Sequence, residues 1–111
     1  MTNHFAQMTK DWVTEAGLQA IIVQRSSLRA DYYCGYVAIG EEHSLYEKHY
    51  DECYNISTHG GLTFSGNIEL LPEPEWWFGF DCNHAWDVES PKDLTFVIKE
   101  CEDLARQLKE K

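Results

Sequence analysis

Asp81, His84 and Asp87 stand at intervals of three near the end of the stretch Trp76-Trp77-Phe78-Gly79-Phe80-Asp81-Cys82-Asn83-His84-Ala85-Trp86-Asp87. A single turn at that spacing gathers two carboxylates and an imidazole, and His59, from a separate segment, adds a second imidazole. Two nitrogens and two carboxylates can hold a divalent metal ion with positions left open for water. Without a metal the same set can do acid–base work, because a carboxylate beside an imidazole raises its basicity. Each residue also has a plain structural use. Asp and Asn cap backbone groups in tight turns, and a histidine among tryptophans packs against them. The case for a site rests on the combination with His59.

Gly60 and Gly61 follow that histidine directly, with Thr63 two residues on. A glycine pair can present backbone N–H groups to an anion such as a phosphate, with the Thr63 hydroxyl as a further donor. It is equally what a bulge or turn requires. The stretch lacks the lysine and helix start of a P-loop, which excludes nucleotide hydrolysis of that type. Trp77 is the candidate wall on which a flat ring such as a nucleobase would stack. Cys82 as a nucleophile is the weaker alternative, since its two-residue spacing from His84 supplies no third, orienting group.

Three motifs, Cys34-Gly35-Tyr36, His59-Gly60-Gly61-Leu62-Thr63 and Gly79-Phe80-Asp81-Cys82-Asn83-His84-Ala85-Trp86-Asp87, together resemble a group of short phage and bacterial proteins. Those proteins carry a similar Cys-Gly-Tyr, His-Gly-Gly-Leu-Thr and Gly-Phe-Asp-Cys-x-His-x-x-Asp series. The likeness covers about half of the chain, and the last motif is its most specific part. In that group a small residue, often glycine, is expected where this chain has Trp86. The resemblance implies a phage or mobile-element setting and brings no established reaction.

The elements that must position these residues can be read from pattern. Phe5, Met8, Trp12 and Ala16 fall near helical spacing with Gly17 as a stop, which predicts a short N-terminal helix. Leu18–Val23 and Asp31–Ile39 read as strands rich in β-branched and aromatic residues. Glu41–Asp51 is a loop or short helix, and Cys53–Phe64 looks extended. Pro72 and Pro74 precede a further strand, Trp76–Phe80, and a polar turn, Asp81–Asp87. In that strand Trp77, Gly79, Asp81 and Asn83 share one face, and Trp76, Phe78, Phe80 and Cys82 the other, wholly apolar one. Ser90-Pro91-Lys92-Asp93 supplies an N-cap, a proline at the first helical position and an acid in the first turn. Leu94, Val97, Ile98, Cys101, Leu104, Ala105 and Leu108 then form one stripe. The expected fold is α+β, one domain over residues 1–111, with a small, mainly antiparallel sheet. An N-terminal helix and a long C-terminal helix would pack on one of its faces.

Charge and cysteines narrow the function. The net charge of −10 is wholly that of residues 31–87, where eleven acids face a single base, Lys48. Such a stretch repels a phosphate backbone, so direct nucleic-acid binding is not expected. It attracts cations or a basic protein surface instead. No apolar run approaches the roughly 20 residues of a membrane span. Met1–Lys10 has no secretory pattern, so the expected location is the cytoplasm, that of the host if the chain is phage-borne. Cys34, Cys53, Cys82 and Cys101 include no Cys-x-x-Cys pair and are read as free thiols. The reading is a pocket protein that binds, sequesters or processes a nucleotide-like small molecule, with an anti-defence role in a phage setting. His59, Asp81, His84 and Asp87 would line its polar end, with Gly60, Gly61, Thr63 and Trp77 contacting the ligand. Two other functions fit the same sequence. One is an acidic interaction protein that blocks a nucleic-acid-binding host enzyme, and the other is a metal-dependent hydrolase.

Overall fold

The structure, a computed structural model, describes residues 6–26, 31–53, 55–68, 75–83 and 93–111. Five strands, β1 (Ala6–Val13), β2 (Gln19–Ser26), β3 (Asp31–Ile39), β4 (Phe64–Gly66) and β5 (Trp76–Asp81), form one antiparallel sheet in the order β1-β2-β3-β5-β4. A long helix, α1 (Leu94–Lys109), lies across one face over β2 and β3. The protein is thus α+β with a mainly antiparallel sheet.

The helix-side core joins Ala20 and Ile22 of β2, Val37 and Ile39 of β3, Phe78 and Phe80 of β5, and Cys82 to Val97, Cys101, Leu104, Ala105 and Leu108 of α1. On the opposite face, Ile21, Cys34, Tyr36, Ala38 and Trp77 form a second buried cluster, with Val23, Tyr32, Phe64 and Ile68 against it. Both faces of the central strands are therefore buried, and β3 reads as an unbroken apolar run rather than an alternating one. Each large side chain removed from water contributes roughly 1.5–3 kcal/mol.

Two glycines set how closely these layers approach. A Cβ on Gly35 would lie 2.6 Å from Cys101 Sγ and 2.7 Å from the Phe80 ring, so its absence lets α1 seat on β3. A Cβ on Gly79 would lie 2.6 Å from Tyr36 Cε1, so that residue gives the Tyr36 ring its place on the far face. The edge of Phe64 meets the same Tyr36 ring, with centroids 5.4 Å apart.

Side chains fasten α1 along both flanks. On one side, Glu102 accepts from Trp12 Nε1 at 2.8 Å and from Glu15 N at 3.0 Å, and Lys109 Nζ donates to Ala16 O at 3.0 Å. On the other side, the long connection after β3 is held by Gln107, which accepts from Ser57 N and donates to Ser57 O, both at 2.8 Å. His43 closes the C-terminal end. Its Nδ1 accepts from Leu45 N at 3.0 Å, so Nε2 carries the proton and donates to Leu108 O at 2.6 Å.

Three sequence expectations are corrected. The helix expected from Phe5 to Gly17 is not seen in its described part, residues 6–17: Ala6–Val13 is β1, paired along its length with β2, and a turn follows. The register shifts between Met8 and Lys10, so a bulge moves Met8 onto the face opposite Trp12. An interrupted period of two imitates a period of 3.6. The helix starts later than the Ser90–Pro91 signal predicts, because Asp93 is the N-cap and its carboxylate accepts from Phe96 N at 2.9 Å; Ser90 and Pro91 lie outside the described residues. Within Cys53–Phe64 no strand forms among the described residues until Phe64 itself, where β4 starts.

Candidate functional site

β4 pairs antiparallel with β5, Phe64 opposite Gly79, and Thr63 N donates to Gly79 O at 2.9 Å just before β4 begins. The segment His59–Thr63 therefore runs toward the end of the sheet where β5 finishes in Asp81, Cys82 and Asn83. The N-terminal half of α1 flanks that end through Phe96 and Glu100.

His59 sits in a turn closed by Gly61 N donating to Thr58 O at 3.0 Å. Gly60, in the third position of this turn, has φ 70° and Gly61 φ 85°, a backbone that side chains rarely adopt. The turn is docked on the helix, with His59 N donating to Glu100 Oε1 at 3.0 Å. The His59 ring meets Phe96 edge-on, with centroids 5.3 Å apart, and is half-buried. The glycine pair thus serves a tight turn. The N–H groups of His59, Gly61 and Thr63 are all engaged within the chain, and the carboxylate at the turn is the protein's own Glu100.

Asp81 pairs across the sheet with Cys34 and alternates onto the face away from the helix, where Oδ1 accepts from Asn83 N at 3.0 Å. Its surroundings are polar: Arg25 Nη2 donates to Tyr36 Oη at 3.3 Å, and Tyr32 and Cys34 lie close enough to feel the Asp81 charge. Burial first, with Asp81 adding to it, pushes the Cys34 thiol up to about 11. Burial likewise pushes the Tyr36 hydroxyl up to about 12, so both stay protonated at neutral pH. Neither is an activated nucleophile.

The structure brings the His59 segment to the same end of the sheet as Asp81, but on opposite faces. On the helix side, His59 shares its face with Cys82, whose N–H donates to Tyr33 O at 3.0 Å. His84 and Asp87 lie outside the described residues. Thr63 is exposed, as are Gly60 and Gly61. Trp77 departs from its expected role: it is 0% exposed, inside the second apolar cluster, and presents no ring face for stacking. Its indole N–H has no hydrogen-bond partner among the described residues. Among the described residues no group of three His, Cys, Asp or Glu side chains is placed to hold a metal ion.

Sequence reasoning missed Glu100 and Phe96, which fix the His59 turn, and the Arg25–Tyr36 pair beside Asp81. No sequence signal links His59 to a helix residue 41 positions away. Compared with protein-family models, with curated proteins and with solved structures, the chain matches none. No helix among the described residues is long and apolar enough to cross a membrane.

Proposed function

We propose that the protein binds a small molecule at the sheet end formed by His59–Thr63 and Gly79–Asn83, and that the ligand is a nucleotide-like compound which it sequesters or processes. The carrying observation is the antiparallel pairing of Phe64 with Gly79, which sets two motif-bearing segments side by side. Because the turn amides are engaged and Glu100 supplies a negative charge, a phosphate finds little here to neutralise it. Recognition falls instead on the neutral, hydrogen-bonding edges of a base or sugar, with the half-buried His59 as a partner on the helix side. In a phage setting the activity would remove a signalling nucleotide from a host defence. Native mass spectrometry of protein purified without chelator, followed by titration with nucleosides and nucleotides, tests this. Saturable binding that is lost in His59→Ala with the fold intact supports the reading; absence of any bound or titrated ligand rejects it. A metal ion in the same spectrum would turn the reading toward a metal-dependent hydrolase.

A second reading draws on a separate observation. Glu41, Glu42, Glu47, Asp51 and Glu52 are all exposed in the connection after β3, with Lys48 the one base among them. These carboxylates would suit a basic protein groove that otherwise holds nucleic acid. Reversal of Glu41, Glu42 and Glu47 to lysine separates the two: partner capture would fall and lose its salt dependence, whereas small-molecule binding would be unchanged.

A further inference from the structure

β1 is an edge strand, eight residues long, and among the described residues only β2 pairs with it. An edge strand offers a row of backbone donors and acceptors to any second strand of suitable pattern. Met8 and Val13, the exposed large hydrophobic residues among those described, both lie on it, 45% and 68% exposed.

Their faces can be read from the register. Met8 pairs with Val23 and Val13 with Gln19, and both partners belong to the face away from the helix. Lys10 pairs with Ile22 and Trp12 with Ala20, which belong to the helix face. Without the bulge between Met8 and Lys10, Met8 and Val13 would point to opposite faces; with it they share one. Antiparallel pairing of β1 with a second β1 around a twofold axis then has a register that matches faces throughout. Met8 meets the partner's Val13, and Lys10 meets the partner's Trp12, with the bulge skipped in each strand. Lys10 Nζ already lies 5.2 Å from the centre of its own Trp12 ring, so it is placed to reach a second ring of the same kind. At the axis Asp11 faces the partner's Asp11. Each Asp11 carboxylate accepts from its own Gln19 Nε2 at 2.8 Å, and their mutual repulsion opposes the pairing.

We infer that β1 is a self-association edge, through which two copies of this chain join their sheets antiparallel into a weak dimer. The apolar Met8–Val13 contacts drive it, and the paired Asp11 carboxylates limit it. This surface lies at the sheet edge opposite β4 and is independent of the His59 turn.

Sedimentation equilibrium across micromolar to millimolar protein reads the association directly. The wild-type chain is expected to show a monomer–dimer equilibrium. Val13→Lys, at an exposed position, should weaken it roughly tenfold, since each substitution removes a cross-strand pair twice in the dimer. Asp11→Asn should strengthen it, because it removes the facing pair of charges. A monomer at every concentration, or a dimer that neither variant changes, would overturn the proposal.

Discussion

Glu102 on α1 and Trp12 on β1 are joined by a hydrogen bond of 2.8 Å from the indole Nε1 to one carboxylate oxygen, while the other oxygen takes the Glu15 amide at 3.0 Å. One side chain thus ties the helix both to the first strand and to the turn that follows it. Glu102→Ala strands two donors and is expected to cost about 2 kcal/mol, in the range of hydrogen bonds to charged acceptors. Glu102→Gln, which keeps an acceptor, should cost less. Urea denaturation of the two variants measures both.

Gly35 tolerates no side chain while α1 holds its position. Gly35→Ala is expected to destabilise by about 1–3 kcal/mol through overpacking against Cys101 and Phe80. Shortening the obstacle with Cys101→Ala in the same chain should recover part of that loss. A double variant no better than Gly35→Ala alone would place the clash elsewhere.

The His59 turn depends on left-handed backbone at Gly60. Gly60→Ala should cost about 1–2 kcal/mol, because φ 70° is unfavourable for any residue with a Cβ. Glu100→Ala frees the turn from the helix. It is expected to weaken ligand binding at His59 with little change in the unfolding midpoint, and calorimetric titration beside thermal melting separates those effects.

High pH should unfold the protein. Cys34, Tyr36 and Cys101 are held protonated by burial, with values pushed up to about 11, about 12 and about 12. The unfolded chain ionises the same groups near 9 for thiols and 10 for tyrosine, so it sheds protons first as the pH rises. Stability is whole below about pH 9 and falls progressively toward pH 12. Denaturant midpoints measured across that window should decline steadily, and a flat profile would show that these groups are not buried in solution.

None of the four cysteines is in a disulfide, and Cys34, Cys82 and Cys101 are buried while Cys53 is half-exposed. A thiol reagent added to folded protein should modify Cys53 first and the other three only after denaturant is added. Four equivalents should be titrated in the unfolded, unreduced chain.

The sequence carried β3 to its exact residues through a continuous run of apolar and aromatic residues, and the core stripe of α1 and the apolar face of β5 through uninterrupted periods. It misread β1, where one extra residue at the bulge reset the alternation and set Met8 and Trp12 on opposite faces. It misread Trp77 for a related reason: with both sheet faces buried, alternation does not say which face stays open. The proximity of the His59 segment to β5 was foreshadowed by two extended-looking segments. The split of His59 and Asp81 between opposite faces was not, since it depends on the route the chain takes around α1. Docking of the turn on Glu100 is a contact between distant segments that no local pattern encodes.

The fastening of α1 along both flanks has a consequence for biosynthesis. Much of the buried core on the helix side of the sheet waits for an element that follows β5 in chain order, and the turn after β1 and the connection after β3 wait for its side chains. While a nascent chain carries the five strands without α1, one broad greasy surface stands open to solvent, and chaperones would meet it there. The native packing of the sheet is therefore complete only once α1 has been made. Mutations along the helix stripe should show themselves first as poor yield of soluble protein, before any loss of function can be measured.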